Sequence, residues 1–369
     1  MENIDFTRVY KSFVLLLFMI LLIIENFLLG IGSFNKIAFG LTIFLILVSL
    51  LYDSIYLKNI GQLIFILFLI IILLIFRDYT VIGMVILGLI FLNFNIETVF
   101  PIFKWIMFVL LFSGFLFCII GLLPLVDYMG VISLGFGNEN KFGAVLELYA
   151  IYSLFSIEKG QYLKINSMKR NWILFVVILL FNLFILTDST VVITMISFVL
   201  LLLFLRRLLR FQVMKVLTIF FPVIISYFAI WLTINFNPNI LWMERLNTFL
   251  TERIYIWHMY FMNSTIDLTK SSFEVNSSFF NGFFDGAYSY IFISEGWLLT
   301  LLIVFGLVLC NLELIKFHRY ELLCFMLSME IAGFSENILV NLWMGCAFIF
   351  IIMAYNPQWY RQRLKKDLL

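Results

Sequence analysis

Apolar runs long enough to cross a lipid bilayer recur along the whole chain. A helix needs about 20 residues, at 1.5 Å per residue, to span a hydrocarbon core of about 30 Å. Because lipid offers no hydrogen-bond partners to the backbone, each run must satisfy its own peptide groups as a helix. Of the 369 residues, 64% are hydrophobic and 12% are charged, against about 25% charged in water-soluble domains. The sequence therefore predicts an all-α, polytopic membrane protein.

We expect about 12 transmembrane helices, within a range of about 10 to 12, in a single integral membrane domain over residues 1–369. No internal repeat and no Gly/Ser-rich linker divides the chain. The first six predicted spans are 12–31, 37–52, 60–76, 79–96, 102–125 and 143–157. The other six are 172–187, 190–205, 216–236, 287–310, 321–334 and 341–355.

Lysine and arginine are unevenly divided between the two sides of this bundle. If the N-terminus lies inside, the inner segments hold 18 of the 24 basic residues and the outer segments hold 6. Cytoplasmic loops retain cationic residues, so both termini are predicted to be cytoplasmic. The net charge of +2 arises mostly where basic loops meet anionic lipid, and it gives no reason to expect a nucleic-acid partner.

One outer segment, residues 237–286, is far longer than the other loops. Within it, residues 241–262 have the pattern of one amphipathic helix lying along the membrane surface. One interpretation is that its arginines only snorkel or pair with neighbouring glutamates. The alternative is that they bind an anion, because a guanidinium matches phosphate oxygens in two places. The polar residues of this segment are Glu244, Arg245, Glu252, Arg253 and His258.

Four further polar clusters are predicted on the same outer side. Taken singly, the cluster at 135–143 is explained by a plain turn and the cluster at 187–190 by a helix cap. Their common side instead favours a shared site. They are GFGNENKFG at 135–143 with Asn138 and Asn140, TDST at 187–190, DGAY at 285–288 with Asp285 and Tyr288, and ENILVN at 336–341 with Glu336, Asn337 and Asn341.

In this order, with the segment TERIYIW at 251–257, the clusters resemble bacterial polysaccharide polymerases of the Wzy type, which belong with the O-antigen polymerases and ligases. The resemblance covers nearly the whole chain. Two positions depart from it: Thr190 stands where relatives commonly have arginine, and Glu252 where they commonly have glycine. The first departure leaves the turn at 187–190 without its cation.

The resemblance implies a membrane glycosyltransferase of the cell envelope, which makes a capsular, exopolysaccharide or O-antigen type polysaccharide. Such enzymes sit in the bacterial cytoplasmic (inner) membrane as multi-pass proteins. They join oligosaccharide repeat units, carried on undecaprenyl pyrophosphate, at its outer face, where both donor and acceptor are lipid-linked. Flippase and chain-length regulator proteins are the protein partners that it suggests.

For this reaction we expect Arg253 to stabilise the departing pyrophosphate and Glu336 or Asp285 to act as base. No cofactor is expected, and no metal, because the sequence has no DxD motif or histidine cluster. The expected substrate-binding residues are Arg245, Glu252, Trp257, His258, Tyr288, Asn138, Asn140, Asn337 and Asn341.

Two other functions fit the same sequence features. A lipid-linked oligosaccharide flippase or other transporter is also polytopic, although transporters usually have repeated halves and ionisable residues near mid-membrane. A glycan ligase has the same chemistry as the polymerase and a similar outer loop. The sequence does not separate polymerase from ligase.

Overall fold

The computed structural model describes residues 6–28, 34–56, 60–76, 83, 86, 88–91, 96–127, 130–137, 139–157, 163–165, 168–186, 188–269, 284–339 and 347–355. Most of these residues are helical, which confirms the predicted all-α class. The predicted span 79–96 and the start of the span 341–355 fall largely outside the described residues. The full number of spans therefore stays a prediction.

The first part of the described chain contains six helices and one short hairpin. The hairpin pairs two three-residue strands antiparallel, with Phe155 opposite Ile165. Turns of π-helix, Ile24–Leu28 and Asn182–Leu186, extend α1 and α6. The elements are α1 (Phe6–Ile23), α2 (Phe34–Tyr56), α3 (Ile60–Phe76), α4 (Ile96–Ile119), α5 (Glu139–Leu154), β1 (Phe155–Ile157), β2 (Leu163–Ile165) and α6 (Lys169–Phe181).

The second part of the described chain contains seven helices. A 3-10 turn, Asn337–Leu339, follows the sixth of them. The helices are α7 (Ser189–Leu208), α8 (Gln212–Asn235), α9 (Leu241–Phe249), α10 (Arg253–Met262), α11 (Ala287–Lys316), α12 (Tyr320–Ser335) and α13 (Ala347–Ala354).

The chain divides into two compact units, residues 1–70 with 82–192 and residues 71–81 with 193–369. In the first unit α5 packs between α4 and α6, and α1 packs against α2 and α4. In the second unit α11 packs against α8, α12 and α13, and α10 packs on α8. The single membrane domain expected from the sequence stays a prediction.

Six described helical stretches are long and apolar enough to cross a membrane. Their outward surfaces carry many large exposed apolar side chains, such as Phe184 and Tyr227 at 73% and 69% exposure, which suits contact with lipid. Each stretch coincides with a predicted span. They are Tyr10–Leu28, Val99–Ile119, Lys169–Leu186, Ser189–Leu208, Gln212–Asn235 and Ala287–Lys316.

The prediction of one amphipathic surface helix over residues 241–262 is wrong. Residues 241–262 do not form one surface helix, because the chain breaks between α9 and α10. Thr251 and Glu252 both adopt left-handed backbone conformations, with φ of 51° and 64°. In addition, α10 buries Ile254, Trp257 and Tyr260 against the second unit. This helix is thus part of the protein core.

Helix α11 is broken at Gly296, whose φ of 79° and ψ of −173° suit only glycine. The break frees the first amides of the section 297–316. The backbone carbonyl of Asp267 accepts from the Trp297 amide at 3.3 Å, and that of Leu268 accepts from the Leu298 amide at 2.8 Å. The segment after α10 therefore caps the section 297–316 of α11.

The break at Gly296 also changes the direction of the first section of α11, residues 287–295. At 1.5 Å per residue, an unbroken 30-residue helix would run about 45 Å from Lys316, whereas the 16-residue α12 rises only about 24 Å from the same end. Even so, the Ala287 amide donates to the Glu336 carbonyl at 3.1 Å. The section 287–295 must therefore turn back toward the end of α12.

We predict that Gly296→Ala destabilises the protein by about 2 kcal/mol or more, because the new Cβ meets the Asp267 carbonyl oxygen and the backbone conformation disfavours a side chain. Thermal unfolding of the purified protein in detergent measures the effect. Gly40→Ala is the control, since no atom lies within 4 Å of a Cβ there. Equal melting temperatures for the two variants would contradict the proposed strain at Gly296.

Candidate active site

Arg253 lies between two carboxylates in the second unit. Its Nη2 atom donates to Glu336 Oε1 at 2.5 Å and lies 3.5 Å from Asp285 Oδ2. The side chains of Arg253, Asp285 and Glu336 are 9%, 30% and 15% exposed. We call these three residues the Arg253 triad. It unites all three residues that the sequence analysis named as catalytic.

A tight turn between α9 and α10 positions Arg253. The buried Asn247 holds this turn from both sides, because its backbone carbonyl accepts from the Glu252 amide at 2.9 Å. Its side-chain oxygen accepts from the Tyr255 amide, also at 2.9 Å. Arg253 is thus the first residue of α10, and it points away from the left-handed turn into the protein.

Two backbone segments that are hydrogen-bonded to each other position the carboxylates. The Ala287 amide donates to the Glu336 carbonyl, as noted above, and Asn337 Nδ2 donates to the Phe284 carbonyl at 2.6 Å. The indole Nε1 of Trp257 donates to the Asp285 carbonyl. The backbones on both sides of the triad are therefore fixed, which restricts where the two acids lie.

Gly286 allows this close packing next to Asp285. Its φ is 102°, and a Cβ there would lie 2.6 Å from the Trp257 ring. Both the backbone conformation and the space therefore require glycine.

The charges of the triad do not balance when both acids are ionised. Burial raises the pKa of Asp285, and the nearby Arg253 guanidinium opposes this rise without cancelling it. Glu336 makes the shorter contact with Arg253. Asp285 is thus the acid with the longer contact to Arg253 and with a pKa above the ordinary aspartate value.

The structure buries Trp257 and Tyr288, two of the residues that were expected to bind substrate. Both side chains are fully buried, with the Trp257 ring edge-on to Phe334 at 5.7 Å between centroids. The Tyr288 hydroxyl donates to the Glu330 carbonyl at 3.2 Å. A ring that is covered on both faces has no surface for a ligand, so these residues support the site from within the protein core.

The remaining outer-loop candidates differ in their surroundings. His258 Nδ1 lies 2.9 Å from the Thr233 carbonyl of α8, so one ring nitrogen is used structurally. Glu252 is exposed in the left-handed turn and not on a shared helix face with Arg245. Arg245 is exposed and makes no ion pair with the described part of the chain.

Asn140 and the turn at 187–190 belong to the first unit, whereas the triad belongs to the second. Asp188 Oδ1 accepts from the amides of Thr190 and Val191 at 3.1 and 3.2 Å, so it caps α7. Burial, then a hydrogen bond that the protonated Glu139 donates to the Asp127 carboxylate and the charges of Asp127 and Asp188, raise the pKa of Glu139. Asn138 and Asn341 lie outside the described residues.

A row of parallel rings near the triad was not predicted from the sequence. Phe334, Phe228, Trp231 and Trp242 stack in this order, with interplanar angles of 8° to 11°. The row joins α12, α8 and α9, and its outer end, Trp242, is 47% exposed. Local spacing did not reveal the row, because two of its three ring contacts join rings on different helices.

Among the described residues, no group of three or more His, Cys, Asp or Glu side chains is arranged to hold a metal ion. No family model, no curated protein and no solved structure matches this chain.

We predict that Glu252→Gly stabilises the protein by about 1 kcal/mol, because glycine adopts the left-handed conformation without the strain that a side chain brings. The control is Glu244→Gly in helix α9, where glycine should cost about 1 kcal/mol. Thermal unfolding of both variants measures the difference. A loss of stability in Glu252→Gly would show that its side chain contributes more than the backbone strain costs.

Proposed function

We propose that this protein is a membrane glycosyltransferase that polymerises a bacterial surface polysaccharide. It joins oligosaccharide repeat units carried on undecaprenyl pyrophosphate. The observation that carries the proposal is the Arg253 triad, in which three residues from separate segments of the chain meet and one carboxyl group, that of Asp285, is partly exposed. The proposal also rests on the ordered motifs of the sequence.

In this proposal Asp285 is the general base. A hydroxyl at the non-reducing end of the incoming unit gives its proton to Asp285, and its oxygen bonds to the anomeric carbon of the growing glycan. The bond from that carbon to the pyrophosphate oxygen breaks, and its electron pair leaves with the pyrophosphate. A raised pKa makes Asp285 a stronger base than an ordinary aspartate at neutral pH.

Arg253 then has a different role from the one that the sequence suggested. Its guanidinium is paired with two acids, so it has little free charge for an anion. We propose that it is a positioning residue that holds Glu336 and keeps Asp285 oriented. The exposed Arg245 is the better candidate for the pyrophosphate.

The proposal includes the finer topology that the sequence predicts. The chain would cross the cytoplasmic membrane about 12 times, with both termini inside and the triad at the outer face. Lipid-linked units would reach it through the bilayer after a flippase has moved them across. A chain-length regulator would act on the same product.

Transport of lipid-linked oligosaccharide is the second candidate function. The break of α11 at Gly296 favours it, because transporters use discontinuous membrane helices at their binding sites. In a deletion strain, transporter loss leaves units on the inner leaflet. Polymerase loss instead leaves single units that reach the outer leaflet.

We predict that Asp285→Asn lowers the polymerisation rate by about 100-fold or more, because an amide does not accept the proton. The assay separates lipid-linked products by length after incubation with purified protein. Asp267→Asn, an exposed aspartate of the same outer segment, should leave the product lengths unchanged. Long products from Asp285→Asn at the normal rate would rule out Asp285 as the base.

The pH dependence follows from the same group. As pH falls, Asp285 takes up its proton and the base is lost, so activity should fall with a midpoint above the ordinary aspartate value of about 3.9. In the folded protein the raised pKa of Asp285 favours its neutral form. The free energy of unfolding should therefore decrease as pH rises from the pKa of Asp285 in the unfolded chain toward its pKa in the folded protein. A rate profile against pH, with thermal unfolding at each pH, measures both. An activity midpoint at or below the ordinary value would contradict the assignment.

A further inference from the structure

A carboxyl group and an amide meet in the core of the second unit. Glu330 on α12 and Asn311 on α11 are both completely buried. Asn311 Nδ2 donates to Glu330 Oε1 at 2.9 Å and to the Thr218 backbone carbonyl of α8 at 3.3 Å. The pair therefore joins three helices, and it is distinct from the Arg253 triad.

Two buried oxygens of this pair lack a donor. Glu330 Oε2 and Asn311 Oδ1 find no hydrogen-bond partner within the described part of the chain. If Glu330 were ionised, both atoms would be acceptors only. A buried carboxylate without a cation is costly, and none of the described lysine, arginine or histidine side chains pairs with Glu330.

The other titratable group facing this carboxyl comes from α11. Tyr288 donates its hydroxyl to the Glu330 backbone carbonyl and not to the carboxyl group. Cys310 and Glu313, neighbours of Asn311 in sequence, are buried and take part in other interactions. Nothing among these groups supplies the missing donor.

We propose that Glu330 is a proton-binding site, in which a proton on Oε2 is donated to Asn311 Oδ1. The carboxyl then accepts from the amide through Oε1 and donates to it through Oε2, which forms the eight-membered ring of a carboxylic acid and a primary amide. The second amide hydrogen remains for Thr218. One proton thus satisfies both orphan oxygens.

The protonated Glu330 lies close to the segments that carry the carboxylates of the Arg253 triad and would stabilise the helices next to them. Glu330 lies six residues before Glu336 on the same chain, about 9 Å along a helix. Tyr288, three residues after Asp285, contacts the Glu330 backbone. The protonated pair therefore locks α11 to α12 directly beneath the two segments that carry the carboxylates of the triad. The inference does not depend on the proposed function.

Infrared difference spectroscopy and thermal unfolding of the full-length protein in detergent test the inference. In Glu330→Gln the amide accepts and donates as the acid did, so the melting temperature should equal that of the wild type. The C=O band of a protonated carboxylic acid should be lost in this variant. Glu321→Gln, at the inner end of α12, should keep the band. Glu330→Leu should melt at a lower temperature, since it leaves Asn311 unsatisfied.

Two results would overturn the inference. One is a Glu330→Gln spectrum that retains the whole protonated-acid band of the wild type, because Glu330 would then be ionised. The other is a wild-type melting temperature that rises when sodium replaces choline at constant ionic strength, with no rise in Glu330→Gln. That result would identify a sodium site in place of a proton site.

Discussion

The contact of Arg253 with Glu336 is the interaction on which the site depends. A charge that is nine-tenths buried is costly unless a partner and hydrogen bonds compensate it. Because the partners lie 83 residues apart in sequence, this contact depends on the packing of α10 on α8 and of α12 on α11. The partly exposed Asp285 completes the triad, and its contact with Arg253 is longer than that of Glu336, 3.5 Å against 2.5 Å.

The break at Gly296 connects this site to the membrane helices. Lipid cannot satisfy the amides that a broken helix exposes, and here the carbonyls of Asp267 and Leu268 satisfy them. The same segment follows α10, which carries Arg253. One short stretch of backbone therefore fixes both the bend of α11 and the end of the helix that supplies the cation. In the same unit, the Glu330–Asn311 pair would join α11 to α12.

Much of the fold was predictable because lipid imposes a simple rule on composition. Six apolar stretches of the sequence correspond to long helices, and Arg253, Asp285 and Glu336 were named before their contact was known. The break at 251–252 was not predicted, because a left-handed Glu252 gives no signal where glycine would. Trp257 was expected to bind substrate but is buried, and an aromatic residue in an amphipathic pattern does not reveal whether its outer face is covered. Gly296 and Asn311 act through residues distant in sequence, so local patterns do not detect them.

A reconstituted reaction tests the central claim most directly. The purified protein would be placed in liposomes with one defined repeat unit on undecaprenyl pyrophosphate, and the products would be measured by mass spectrometry. We expect a ladder of lipid-linked products whose masses differ by one repeat unit, together with released undecaprenyl pyrophosphate. Single units that remain unjoined, but move from one leaflet to the other only when the protein is present, would contradict it.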